Sequence, residues 1–218
     1  MTSTFLVVDD VAHRLDGSRL WLRAGDQHAE LALDAVGQAA VDAAIAIVEA
    51  GLASGATLDD AARIAAATVT DIPGRTARRA LANGAVLLDD TAAATALDVR
   101  GSLRALADIV RGGARSIVVL GELQSEPSDW FDDHDALGRI VVRLDVSQLI
   151  VVGDGARHIH NAAGLEGSWD GESMLVGTVD EAYDVVRAQV DEGDVVLVSA
   201  ASRTPLQGLV DRLLAADR

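Results

Sequence analysis

The chain has 218 residues, half of them hydrophobic but only 3% aromatic, and 34 acidic against 18 basic residues give a formal charge of −16. All the basic residues are arginine, so chemistry that needs a primary amine (a P-loop lysine, a Schiff base, a carbamylated lysine between metals) is excluded within these residues. The acidity argues against nucleic acid as a partner, and the absence of cysteine excludes disulfides and thiolate metal sites, which makes the cytoplasm the default location.

The first residues lack the basic and long apolar segments of a signal peptide, and no later stretch approaches the ~18 apolar residues of a membrane span. Membrane insertion is therefore not expected. Short apolar or alternating runs at 5–8, 20–22 and 29–33, broken by Asp16-Gly17 and Gly25-Asp26, predict an antiparallel ribbon. Val41, Ile45, Val48 and Leu52 share one helical face, and Thr57-Leu58-Asp59-Asp60 caps a second helix. Asn83-Gly84 between two short apolar runs predicts a hairpin in which both residues tolerate positive φ. The alanine-rich segment 91–96 carries no strand or turn punctuation and reads as a hinge.

From about residue 97 the pattern becomes an alternation of helix and strand. Val99, Leu103, Leu106 and Val110 mark a helix, 117–120 a buried strand, and Leu137, Ile140, Val141 and Leu144 a helix. Strands follow at 149–152, 174–176 and 195–198, separated by a helix at 156–163 and another capped by Thr178 through Glu181. Thr204-Pro205 reads as cap and first residue of the last helix. Short apolar strands between amphipathic helices imply a doubly wound, mostly parallel α/β sheet of Rossmann-like form, preceded by a smaller α+β region. The boundary is expected near Asp89-Asp90, giving regions 1–90 and 91–218.

Several clusters invite chemistry. Gly153-Asp154-Gly155 after a strand reads first as a tight turn and second as a nucleotide fingerprint whose third glycine is replaced by His158. His158 and His160, two apart, diverge on a helix and do not form a metal-ligand pair, while Asp132-Asp133-His134-Asp135 reads as a helix N-terminus. No catalytic residue and no metal ligand is assigned. Asp89-Asp90 ends a strand, where ligands of α/β proteins collect, or is a solvated strand end. Arg75 and Arg203 are cations on loops suited to an anionic group.

Together, Val119-Leu120-Gly121-Glu122-Leu123, His134 with Gly138, Ile150-Val151-Val152-Gly153 before Ala156-Arg157, and Gly193-Asp194 leading through 195–198 to Ser202-Arg203 resemble the C-terminal domain of the Mur ligases. Within that family the motifs resemble those of the branch that adds D-alanyl-D-alanine in peptidoglycan synthesis. Pro73-Gly74-Arg75 and Asn83-Gly84 leading to Asp89-Asp90 look like the tail of that family's central domain. The resemblance implies that residues 1–90 are a remnant of the central domain, without its P-loop, and 91–218 the C-terminal domain. It implies ATP and magnesium as the family's cofactors, Arg75 and Asp90 as nucleotide-contacting positions, and Ser202 and Arg203 as positions facing a peptide substrate.

Motifs of the family are also lost. Its Gly-x-His-Asn stands here as Gly37-Gln38-Ala39-Ala40, its Asp-x-Tyr-Asn-Ala-Asn-Pro as Asp90 followed by Thr91 to Ala96 without Tyr, Asn or Pro, and its lysine before Ser-Arg as Ala200-Ala201. Each lost hydrogen bond to a buried ligand is worth roughly 1–3 kcal/mol. The expectation is a truncated, catalytically silent homologue that binds a peptide, a cell-wall precursor or a protein partner. The alternatives are the C-terminal half of an ATP-dependent ligase completed by a separate P-loop polypeptide, and an interaction protein whose orphaned N-terminal strands are covered by homodimerisation.

Overall fold

A computed structural model of the chain describes residues 5–167, 169 and 171–216. They fall into two units, Met1–Ile72 and Pro73–Arg218.

The first unit is an antiparallel sheet under two helices. Strands β1 (Leu6–Arg14), β2 (Gly17–Ala24) and β3 (Gln27–Leu33) lie in the order β1-β2-β3, as the alternating pattern requires. Gly17 has φ 142°, and a Cβ there would stand 2.0 Å from the carbonyl oxygen of Leu33, so the strand start admits only glycine. Helix α1 (Gln38–Ala53) buries Ala40, Val41, Ala44 and Val48, while Ile45 and Leu52 pack at the margin. Helix α2 (Leu58–Thr68) is capped by Thr57, whose hydroxyl accepts from the Asp60 N–H at 3.2 Å. Leu20, Leu22, Leu31, Leu33 and Leu58 form its core with the alanines of both helices. The other face of the sheet carries the ion pairs Arg19–Glu30 and Arg23–Asp9 on either side of Trp21, with Phe5 and Val7 exposed.

The second unit is a six-stranded sheet of order β4-β5-β9-β6-β7-β8. Its strands are β4 (Ala77–Ala80), β5 (Val86–Asp89), β6 (Ser116–Leu120), β7 (Gln148–Val152), β8 (Glu172–Val176) and β9 (Val195–Ser199). Only the edge strand β4 runs antiparallel, and β6, β7 and β9 are buried along their whole length, which is why they read as unbroken apolar runs. Helices α3 (Ala96–Val110), α4 (Trp130–Arg143) and α5 (Arg157–Leu165) pack in sequence on one face, and α6 (Val179–Gln189) packs with α7 (Gln207–Ala215) on the other. The doubly wound α/β architecture is as the sequence predicts. Among the described residues no helix is long and apolar enough to cross a membrane.

Four local expectations are revised. The division of the chain falls between Ile72 and Pro73, where the sequence places it at 90/91, because β5 pairs in parallel with β9 and so draws the β4–β5 hairpin into the second sheet. That hairpin closes through a wider loop, with the Leu81 N–H donating to Ala85 and positive φ at Gly84 but not at Asn83, whose side-chain oxygen accepts from the Ala85 N–H instead. Segment 91–96 is tied down: the Ala92 N–H donates to Gly74, Ala93 is buried, and Thr95 with Asp98 forms a full capping box for α3. Thr204 does not cap α7, because its hydroxyl accepts from the Glu122 N–H at 2.9 Å, and the helix begins at Gln207.

Candidate functional site

All five parallel strands of the second unit point their C-terminal ends to one edge. β6 leads into α4 on one face and its neighbour β9 into α7 on the other, so the crevice between them is the topological switch point where α/β sheets collect ligands. Gly121 follows β6 there, and its missing Cβ makes room for Thr204: a Cβ would lie 2.5 Å from the threonine Cβ and 2.8 Å from the carbonyl of Ala200. Ala200 itself has φ 56°, a left-handed turn that swings the chain from β9 into the loop of Ser202 and Arg203.

Asp90 follows β5 and points inward. It is 2% exposed and accepts hydrogen bonds from the hydroxyls of Ser199 (2.5 Å) and Thr76 (3.1 Å), with Ser102 of α3 beside them. Burial pushes its carboxyl up to about 6, against the lowering effect of the Ser199, Ser102 and Thr76 hydroxyls and of the Arg75 charge. Thr76 reaches it from a left-handed backbone at φ 59°, unusual for a β-branched residue. Arg75 turns to Asp98 at 3.4 Å, and the Asp98 carboxyl lies below its usual range: burial opposes this, but hydrogen bonds from Thr95 and the Ala94 N–H and the Arg75 charge outweigh it.

Ser202 and Arg203 sit at the switch point, on the loop after β9. The Ser202 hydroxyl donates to the carbonyls of Ala94 (3.2 Å) and Ala93 (3.4 Å), joining the β9 loop to the segment after β5. Arg203 donates its backbone N–H to the Glu122 carbonyl at 3.0 Å, and its guanidinium lies 3.6 Å from the Glu122 carboxylate. The structure thus gathers Asp90, Ser202 and Arg203 along one edge, and it places Arg75 beside α3 with Asp98.

Of the other sequence candidates, His134 is fully buried. Its Nε2 accepts from the Leu123 N–H at 3.1 Å and its Nδ1 meets the Trp130 carbonyl at 2.6 Å, which fixes a neutral tautomer; burial holds the imidazole below its usual value. Asp132 and Asp133 lie in the first turn of α4. His158 packs edge-on against Trp130 and Phe131, and His160 reaches Ser173, so the two histidines diverge. Gly153, at φ 89°, makes the turn after β7, and Gly155 lets the Glu122 carboxylate approach. Among the described residues no three His, Asp or Glu side chains gather as a metal site.

Sequence reasoning passed over Glu122, Thr204, Ser199, Thr76 and Ser102 as site residues. Gly121-Glu122 was visible within a motif, but nothing in the spacing of Thr76, Ser102 and Ser199 shows that three chain-distant hydroxyls converge on one carboxylate. Near this edge, an open groove of about 460 Å³ runs between β4–β5 and the start of α7, with Arg79, Asp89, Thr91 and Gln207 along it.

Residues 74–202 match the family model described as Mur ligase, glutamate ligase domain. Among curated proteins the chain is 36% identical over 198 residues to the UDP-N-acetylmuramoyl-tripeptide--D-alanyl-D-alanine ligase of Mycobacterium leprae, covering 85% of this chain and 38% of that protein. It is 34% identical over 215 residues to the same enzyme of Mycobacterium tuberculosis H37Rv, covering 91% and 42%. The chain therefore spans about two fifths of the length of these relatives. Among solved structures it is similar to the MurF ligase of Thermotoga maritima in complex with ADP (TM-score 0.78, 18% identity, 96% of this chain and 46% of that one). A MurF crystal structure from Acinetobacter baumannii gives TM-score 0.75, 18% identity, 99% and 46%.

Proposed function

The chain belongs to the Mur ligase family through its glutamate ligase domain, and from that membership we propose that it is a ligation-silent homologue that holds a peptide or cell-wall precursor in the cytoplasm. The loop after β9 is the holding element. The observation that carries this reading is the contrast in exposure at the strand edge: the Arg203 side chain is 56% exposed at the switch point beside Glu122, while Asp90 is buried against three hydroxyls and Arg75, 34% exposed, lies against Asp98.

In this reading Arg75 serves Asp98 and Asp90 serves the hydroxyls around it, neither holds a nucleotide, and no ATP or magnesium step is involved. The lack of lysine in these 218 residues and the alanines at 39, 40 and 92–94 point the same way. What these residues do is positional: Ser202 anchors the loop to Ala93 and Ala94, the Glu122 main chain anchors it to β6, and Arg203 offers a planar cation suited to a carboxylate. A second reading, in which the chain is the C-terminal half of an ATP-dependent ligase completed by a separate P-loop polypeptide, is favoured by the close match of fold to an ADP-bound ligase over 96% of the chain.

Isothermal titration calorimetry separates the two. Titrating the purified chain with D-alanyl-D-alanine, UDP-N-acetylmuramoyl-pentapeptide and magnesium-ATP is expected to give heat with one of the first two, at a dissociation constant below about 100 μM (roughly −5.5 kcal/mol), and none with ATP. ATP binding, together with phosphate release once a P-loop partner and both substrates are supplied, would replace the first reading by the second.

A further inference from the structure

Glu122 lies at the switch point beside Arg203. Its Oε1 accepts from the Trp130 indole N–H at 3.3 Å and faces the Arg203 guanidinium at 3.6 Å. Its Oε2 lies over Gly155, where a Cβ would stand only 2.0 Å away. The main chain holds both partners in register, because the Arg203 N–H donates to the Glu122 carbonyl and the Glu122 N–H to the Thr204 hydroxyl. Among the described residues, Glu122 is the one carboxylate that pairs with Arg203. The cradle formed by Arg203, the Trp130 N–H and the bare Gly155 is thus filled by an anion that the chain itself supplies.

We infer that Glu122 is an internal competitor for Arg203, and that an external oxyanion, a ligand carboxylate or phosphate, binds this cradle by displacing it. The inference rests on the proposed function for the importance of Arg203, and it adds the residue that sets the charge preference of the site. Three features of the pair suit displacement. The pair is half exposed, with side-chain exposures of 56% for Arg203 and 24% for Glu122, so it is weakly held. Its 3.6 Å separation lacks the parallel bidentate contact that a free carboxylate or phosphate can make. Beyond Arg203, Glu122 has the Trp130 N–H as a polar partner, so it has somewhere to remain when Arg203 leaves it.

The test compares the full chain with Glu122→Gln, Gly155→Ala and Arg203→Gln. Two probes are titrated: N-acetyl-D-alanyl-D-alanine, which carries a carboxylate and no ammonium, and inorganic phosphate. The Arg203 side-chain Nε–H resonance is followed by NMR alongside the dissociation constant. Glu122→Gln keeps the shape and removes the charge; Gly155→Ala keeps the charge and evicts the side chain. A site that is competent for only a fraction of the time loses affinity by that fraction, so both variants are expected to bind the probe roughly three- to tenfold more tightly, with the Arg203 resonance moving on binding. Arg203→Gln is expected to abolish the gain.

A merely structural Glu122 would give the opposite sign, so unchanged or weaker binding in both variants overturns the inference. Failure of both probes to bind the chain and either variant also overturns it. Phosphate bound by Glu122→Gln without the dipeptide keeps the gate and removes the peptide reading, whereas dipeptide binding indifferent to Arg203 keeps the peptide reading and removes the gate.

Discussion

A single carboxylate shows how burial and hydrogen bonding contend at this edge. Asp90 loses water on burial, and the hydroxyls of Thr76, Ser102 and Ser199 replace only part of it, so its carboxyl rises from 3.8 to about 6. An acid whose folded value is raised is easier to protonate in the folded state. Its stabilising effect is therefore full below about 4 and lost as the pH climbs through about 6, at a cost on the order of 2–3 kcal/mol. Asp90→Asn removes the titration and keeps the shape. Denaturation in urea at pH 4 and pH 7.5 is expected to show the variant gaining on the natural chain between the two, because carboxylates such as Asp98 that titrate oppositely are common to both. Equal differences at both pH values would contradict the account. In the sequence, Asp89-Asp90 was legible as a strand end; both are buried, and that Asp90 is the one to meet the Ser199 hydroxyl depends on β5 lying beside β9.

At the scale of elements, caps and close approaches decide where each segment stops and what it touches. The capping box of Thr95 and Asp98 fixes the start of α3 directly after the alanine-rich segment, and Thr95→Ala is expected to cost about 1 kcal/mol (range 0.5–2) in thermal unfolding. Gly138 gives a sharper contest. Alanine there gains about 1 kcal/mol of helix propensity in α4. A Cβ, however, would lie 2.2 Å from the Ile159 carbonyl and 2.8 Å from the Ala162 Cβ of α5, and overpacking costs typically 1–3 kcal/mol or more. The contact term wins, so Gly138→Ala is expected to lower the melting temperature, and a higher one would show that α4 and α5 separate freely. The helical period of α4 was visible in sequence; the need for glycine at 138 was not, because the partner lies on a different helix.

At the scale of the whole molecule, each unit has its own core. Leu20, Leu22, Leu31 and Leu58 belong to the first, and Leu87, Ile117, Val119, Ile150, Val196 and Val198 to the second. Independent cores unfold as separable units unless something couples them. Calorimetry is expected to resolve two transitions, with Leu20→Ala lowering one and Val196→Ala the other, the leucine truncation costing about 2–5 kcal/mol. A single transition shifted equally by both would show one cooperative unit.

Sequence by itself determined the alternating helices and strands, the parallel sheet, the two-helix α+β unit and the family, because hydrophobic period and turn chemistry are local properties written along the chain. It also placed Ser202 and Arg203 on the loop after the last strand. Tertiary structure alone decided that the hairpin of β4 and β5 joins the second sheet, that Asp90 turns inward to three hydroxyls, and that Glu122 lies between Arg203 and Gly155. Each of these turns on residues from different segments meeting at one edge, and strand order, which no local pattern encodes, sets which segments meet.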